Sequence, residues 1–334
     1  MDVSYRDLYP DFCTALENVE LRPEQQLVAC LGGGADSQTV LDLLDRWRQD
    51  HPQFNYLAIH LDHQFHPDSG HWAEGLVDDC QQRQFPMYCE VLAVPQGRRT
   101  SKEAAGREAR YQRLGEIATD NAILLVGQHR NDQIETFLLQ LKRGAGPKGL
   151  AAMAQQSESQ RQLQPRQTIV RPLLGVSKAE IYAYAKQHQL FWIEDDTNYD
   201  TRIERNFLRH KIVPELEQRW PHFGDAVLRS AQLCAEQQQV LEELLSEQLM
   251  TYQNAAGELK VEPLASHSPA SQRALLRTWL QQQNASMPSY AQLEQIRRQM
   301  IHTKNDRQPE VSWGRHTVKR TSSRHLILGS RNAD

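Results

Sequence analysis

The sequence predicts an α/β fold: a parallel sheet wrapped by helices, followed by a smaller, mainly helical domain. Three observations carry this expectation. Apolar, β-rich runs recur at 27–31 (LVACL), 56–61 (YLAIHL), 88–94 (YCEVLAV) and 122–127 (AILLVG). The segments between them have helical length or period, and such alternation reads as βαβ units around a parallel sheet. Beyond residue 222 the apolar spacing is helical, with short β-like runs only from Val311 to Leu328.

Each element follows in order. The first strand runs into Gly32–Ser37 (GGGADS) and then a helix. In that helix Val40, Leu43, Leu44 and Trp47 are spaced i, i+3, i+4, i+7, which puts them on the face turned to the sheet. Residues 155–167 (QQSESQRQLQPRQ) are Gln- and Ser-rich without a period and are expected to form an exposed loop. Ser177 with Glu180 is a capping-box signature for a helix over 178–190, and Arg205 to Trp220 also reads as helical. A break at 220–226 (WPHFGDA) divides the chain into expected domains 1–218 and 222–334. The second opens on a long helix carrying Ala231, Leu233, Val240, Leu241, Leu244, Leu245 and Leu249, turns at 254–258 (NAAGE), and continues with helices around 274–280 and after Pro288.

Composition bounds the function. The chain has 334 residues, 39% hydrophobic and 24% charged, within the range of a globular protein. No run of about 18 apolar residues is present for a membrane span, and the acidic start MDVSYRDLYP is unlike a signal peptide. A cytoplasmic location without a membrane partner is expected. The cysteines Cys13, Cys30, Cys80, Cys89 and Cys234 are odd in number, with no CxxC pair, which argues against disulfides, zinc ribbons and iron–sulfur clusters. With 38 basic against 42 acidic residues and a net charge of -4, any nucleic-acid surface must be local.

A glycine-rich turn between a buried strand and a helix gathers backbone N–H groups around an anion. Gly32, Gly33, Gly34 and Ala35 supply that backbone, Ser37 a hydroxyl, and Asp36 a carboxylate able to hold a phosphate-bridging cation. The pattern is neither GxxxxGK[ST] nor GxGxxG. It is similar to the SGGxDS loop of the N-type ATP pyrophosphatases, the PP-loop enzymes of the adenine nucleotide alpha hydrolase-like fold. Residues 129–150 (HRNDQIETFLLQLKRGAGPKGL) resemble the HxxDDQxETxxxxLxRGxGxxGL signature of the tRNA(Ile)-lysidine synthase family. Residues 103–111 (EAAGREARY) match that family's arginine-bearing helix, and RPLL, WIEDDTN and RNFLRHKIVPEL match its later segments in order.

The resemblance implies ATP and Mg²⁺ as cofactors, L-lysine and an isoleucine tRNA with a CAU anticodon as partners, and leaves homodimerisation open. It implies that ATP adenylates the C2 oxygen of the wobble cytidine and that the lysine ε-amine then displaces AMP at C2. Asp36 would hold the metal, the loop amides, Ser37 and His60 the nucleotide, and Arg110 charge near ATP. Asp132 and Glu135, three apart on one helix face, would hold Mg²⁺ or the lysine ammonium, with His129 beside them. The chain resembles the family's short form, for which a catalytic domain with one helical domain is expected.

This chain departs from the family pattern at Gly32, where Ser is usual; at Asp62 and Gln64, where HxHHG is usual; and at Asn131, in place of the first paired aspartate. These departures keep three readings open: lysidine synthesis, a catalytically altered or inactive tRNA-binding paralogue, and a related pyrophosphatase with another nucleophile. The RNA-facing candidates are Lys142 and Arg143; Arg202, Arg205, Arg209, His210 and Lys211; and Arg315, His316, Lys319, Arg320, Arg324, His325 and Arg331, with Trp313 as a base-stacking or core residue.

Overall fold

The computed structural model describes residues 5–94, 102–158, 167–303 and 308–330. The chain divides into two compact units, Met1–Ala235 and Glu236–Asp334.

The first unit contains α1 (Tyr9–Glu17), β1 (Gln26–Leu31), α2 (Ala35–Asp50), β2 (Asn55–Asp62), α3 (Ser69–Gln82), β3 (Met87–Val91), α4 (Lys102–Ile117) and β4 (Ile123–Val126). It continues through α5 (Arg130–Lys142), α6 (Pro147–Leu150), β5 (Gln156–Glu158), β6 (Thr168–Val170), α7 (Lys178–Gln187), α8 (Glu204–Phe207), a π-helical turn at Leu208–Ile212, α9 (Val213–Arg219) and the start of α10 (Phe223–Tyr252). The sheet order is β3-β2-β1-β4-β6-β5. All neighbours are parallel except β5, which runs antiparallel to β6.

The alternation of strand and helix buries the sheet on both faces. Leu27, Ala29 and Leu31 of β1 join one apolar cluster with Val40, Leu43, Leu44 and Trp47 of α2, the face expected from their spacing. Val28 joins the opposite cluster with Ile59, Leu61, Leu114 and Leu124. Parallel strands covered on both sides read as near-continuous apolar runs for this reason. The Ser177–Glu180 capping box at the head of α7 forms as expected.

Two expectations change. The ends of the 155–167 segment are ordered: Gln156–Glu158 is β5, and Gln167 is buried and donates to the Gly115 carbonyl. A polar edge strand carries no apolar alternation, so composition concealed it; residues 159–166 lie outside the described residues. The compact units also part within α10, after the 218–222 break. Val227 of α10 packs with Ile134 of α5 and Val213 of α9, which attaches the start of the long helix to the first unit.

The second unit holds β7 (Leu259–Lys260), α11 (Val261–Ala265), α12 (Pro269–Gln282), α13 (Tyr290–His302), β8 (Glu310–Trp313), β9 (His316–Arg320) and β10 (His325–Ser330). Its strands form a sheet in the order β7-β10-β9-β8, packed with the helices around Leu275, Trp279, Leu293, Ile296 and Met300. Trp313 belongs to this core and donates from Nε1 to the Ser286 carbonyl at 2.7 Å. Among the described residues no helix is long and apolar enough to cross a membrane.

Candidate active site

The site forms where strand order reverses, between β1 and β4, the crevice in which open α/β sheets bind ligands. After β1 the chain turns through Gly32–Gly34 into α2; after β4 it turns through Gly127 and Gln128 into α5, whose N-cap is His129. Gly127 lets the two turns touch. A Cβ there would sit 2.8 Å from the backbone carbon of Asp36 and 2.9 Å from the nitrogen of Ser37.

Gly33 has φ +89°, a conformation that L side chains rarely adopt. A Cβ on it would lie 2.8 Å from Cδ1 of Ile193, whose backbone N–H donates to the Gly33 carbonyl at 2.9 Å. The WIEDDTN segment therefore closes against the glycine loop. Ser37 Oγ accepts from Gly32 N–H at 3.2 Å and donates to the Gly34 carbonyl at 3.0 Å, bracing the loop from inside. Ala35, the first residue of α2, is buried in the core below.

Asp36 and Asp132 converge on His129. The ring Nε2 stands 3.6 Å from Asp36 Oδ2 and 3.6 Å from Asp132 Oδ2. His129 Nδ1 accepts from the Asn131 N–H at 3.2 Å, and Asp132 Oδ2 accepts from the His129 N–H at 3.0 Å, a reciprocal cap that places the ring proton on Nε2. Burial pushes the Asp36 carboxyl up, but hydrogen bonding and attraction to His129 outweigh it, and its pKa lies below the ordinary aspartate value. For His129, burial opposes the charge while Asp36 and Asp132 favour it, and its pKa lies above the ordinary histidine value. Asp36 Oδ1 is buried with no hydrogen-bond partner.

On the other side of β1, His60 is buried and contacts the Leu31 carbonyl through Nδ1 at 3.1 Å. The Arg110 guanidinium runs alongside the His63 imidazole, with Nε 3.3 Å from Nε2 and Nη2 3.3 Å from Nδ1. Burial, then the Arg110 charge, pull the His63 pKa down to about 4. Among the described residues no carboxylate is ion-paired with Arg110, so its charge remains for an anion.

Several basic residues expected to face RNA are committed to the protein instead. Arg205 Nε and Arg209 Nε each donate to Glu135 at 2.6 Å, and both reach Asp132 Oδ1 at 3.3 Å. Glu135 is 1% exposed, and a buried carboxylate of this kind must be paired. The expected solvent-facing basic helix is thus a clamp on α5. Arg320 is buried and donates to the Met300 and Thr303 carbonyls, a core role in place of the expected phosphate contact. Lys142 pairs with Glu204 and Lys319 with Glu310, all near the surface. Arg143, Lys211 and Arg315 are exposed. Arg331 lies outside the described residues.

Comparison with known proteins agrees with this geometry. Residues 8–216 match the family model described as a PP-loop domain, and residues 259–324 match the one described as the TilS substrate binding domain. A tRNA(Ile)-lysidine synthase of Idiomarina loihiensis is 58% identical over 315 residues, covering 93% of this chain and 69% of that protein. The chain belongs to the tRNA(Ile)-lysidine synthase family. A second member, from Pectobacterium atrosepticum, is 42% identical over 302 residues, covering 90% of this chain and 67% of its own. Among solved structures, the U34-tRNA thiolase NcsA of Methanococcus maripaludis shares the fold, with a TM-score of 0.56 at 16% identity over 69% of this chain and 78% of that one. The PP-loop domain makes this an ATP-using fold.

Within the family frame, the departures acquire local explanations. Asp62 accepts from the Gln64 N–H at 2.8 Å and from Ser69 Oγ at 3.1 Å, closing a turn in which Gln64 has φ +54°. The family's glycine suits that backbone, and the Asp62 turn holds it here without one. Asn131 Oδ1 accepts the Lys178 N–H at 3.1 Å, so its side chain ties α5 to α7. At Gly32 a Cβ would meet nothing within 4 Å. The sequence reading missed Gly127, Ile193 and Gln128; the only sign of Gly127 was its place at the end of an apolar run.

Proposed function

We propose that this protein ligates lysine to C2 of the wobble cytidine of tRNA(Ile), at the expense of ATP, to form lysidine. The observation that carries the reading is the convergence of Asp36, His129 and Asp132 beside the PP-loop at the strand-order reversal, in a chain whose relatives are tRNA(Ile)-lysidine synthases. Such chemistry belongs in the cytoplasm, with ATP, free lysine and tRNA.

The residues divide the work. The Gly32–Gly34 amides and Ser37 bind the phosphates; His60 lines the nucleotide side; Arg110, without a carboxylate partner among the described residues, draws negative charge of ATP toward β2. The cytidine O2 attacks the α-phosphorus and pyrophosphate leaves. The lysine amine then attacks C2, the C2–O bond breaks, AMP departs and the amine loses its proton. The buried Oδ1 of Asp36 lacks a partner, which fits a divalent cation. Mg²⁺ binds through one or two carboxylates, waters and phosphates, so Asp36 with Asp132 is a sufficient protein share. Bound there, Mg²⁺ would neutralise phosphate charge.

If Asp36 alone supplies the carboxylate to Mg²⁺, Asp132 is the contact for the lysine ammonium, shared with Arg205 and Arg209. Arg143 and Lys211 are exposed and available to tRNA phosphates. Asp62 and Asn131 favoured an altered paralogue as long as they counted as damage; as turn and helix ties they no longer do.

The test is release of labelled pyrophosphate from ATP by purified protein with total tRNA, with and without lysine, and mass spectrometry of the digested tRNA. Lysine-dependent lysidine is the expected product, lost in Asp36→Asn. AMP formation that is indifferent to lysine, or no turnover with tRNA still bound, would overturn the reading.

A further inference from the structure

Arg171 opens the RPLL segment, directly after β6, and is 7% exposed. Its guanidinium has no carboxylate partner among the described residues; every acceptor is neutral. Nε donates to Gln128 Oε1 at 2.5 Å, and Nη1 donates to the Ala154 carbonyl at 2.8 Å and to Ser157 Oγ at 3.0 Å. Its backbone N–H donates to the Gln155 carbonyl at 2.9 Å. Burying a cation without an anion is costly, and filling the end of a strand would need only an apolar side chain. Arginine adds a rigid fork that holds several acceptors at once.

Those acceptors sit on two segments. Gln128 is the residue before His129, in the turn from β4 into α5; Ala154 and Ser157 lead into and lie in β5. The same RPLLGVSK stretch takes hold of the turn twice more. Arg130 N–H donates to the Val176 carbonyl at 2.9 Å, and Lys178 N–H donates to Asn131 Oδ1 at 3.1 Å. Across the helix, Gln133 exchanges two hydrogen bonds with the Met153 backbone, at 2.7 and 2.8 Å. His129 is thus carried on a turn gripped from one side at Gln128, Arg130 and Asn131, and Arg171 is the grip at the strand end.

We propose that Arg171 is a positioning residue for the catalytic turn: acting through Gln128, it sets His129 against Asp36 and Asp132, and through Ala154 and Ser157 it fixes the segment after α6 to the same point. Arg171 touches neither His129 nor either carboxylate, so its effect is on geometry. The inference rests on the function proposed above, and its test separates the two.

Five proteins are compared: wild type, Arg171→Met, Gln128→Leu, the double variant, and Arg171→Lys as the conservative control. Hydrogen exchange on the free proteins needs no substrate. Arg171→Met is expected to speed exchange over 128–133 and 153–158 and to leave β1 and β2 as they are; Gln128→Leu speeds it over 128–133 alone. In lysine- and tRNA-dependent pyrophosphate release, either variant should lower kcat about 100-fold, as displacements of about 1 Å do, with KM for ATP little changed. The double variant should be no slower than Arg171→Met, because both act through one contact. Arg171→Lys, lacking the fork, should recover only part of the loss.

Unchanged exchange over 128–133 in Arg171→Met would overturn the inference. So would lower thermal stability with kcat intact, or losses that multiply in the double variant. A wild type without lysine-dependent turnover would sink the proposed function, and the exchange pattern would then decide the positioning role alone. If Arg171→Met does not fold, Gln128→Leu carries the same comparison from a half-buried position.

Discussion

Two arginine–carboxylate clusters, one in each unit, contain nearly the same groups and differ in how the chain assembles them. In the first, Glu135 of α5 is held by Arg205 and Arg209, about seventy positions later in the sequence, and its side chain is 1% exposed. In the second, Glu294 of α13 is held by Arg297 and Arg298 of the same helix and by Arg273 of α12, with 18% of its side chain exposed. Arg297 foremost holds the Glu294 carboxyl at a pKa of about 2. Pairs three and four apart on a helix are local; a pair closed across the fold, on a buried acid, joins elements far apart in the chain. The first cluster locks the site's helix to the α8 region, whereas the second ornaments a helix that its apolar face already secures.

The largest expected effect follows from that difference. Glu135→Ala leaves two half-buried guanidinium groups without their anion and should cost about 3–5 kcal/mol in denaturant unfolding. Glu294→Ala should cost much less, and its effect should shrink in high salt. Equal losses, insensitive to salt in both, would break the comparison.

Next comes Asp132→Asn, which keeps the shape of the first cluster but removes a charge shared by Arg205, Arg209 and His129. If lysine binds there, KM for lysine should rise about 10-fold or more, since a hydrogen bond to a charged group contributes about 1.5–3 kcal/mol. A change confined to KM for ATP would assign the carboxylate to the nucleotide instead.

A third experiment concerns Arg110, which belongs to neither cluster and lies against His63 rather than an acid. The folded His63 pKa of about 4 is below the unfolded value of about 6.5. The unfolded chain therefore binds more protons in that window, and stability must fall as pH drops from about 6.5 toward about 4. His63→Gln should flatten this limb in a series of melting temperatures against pH. An unchanged slope would place the acid sensitivity elsewhere.

The smallest effect is expected of Gly32→Ser. The position has room for a Cβ, so folding should be unaltered, and one more donor to phosphate would tighten ATP by about 0.5–1.5 kcal/mol in equilibrium binding. A clear loss of stability would show that the loop is more crowded than its geometry indicates.

How much of this was legible beforehand depended on distance along the chain. β1 to β4, the buried face of α2 and the Ser177 capping box rest on apolar periodicity or on residues three apart, and a sequence displays both. The family motifs marked Asp36, His129 and Asp132 as candidates. Edge strand β5 was not legible, because a polar strand paired on one side carries no apolar period. Nor was the fate of Arg205, Arg209 and Arg320: a basic residue facing solvent and one spent on a buried acid or carbonyl have the same letter.

The sequence by itself determined the order of elements, the glycine turn and the chemical types available at the strand ends, since these follow from local backbone preference and apolar spacing. Only the tertiary structure decided which charges remain free. Packing places β1 beside β4, lets Gly127 bring α5 against Asp36, and lays the α8 region on Glu135. A buried carboxylate such as Glu135 is then neutralised by whatever cations the fold delivers, however distant they are in the chain.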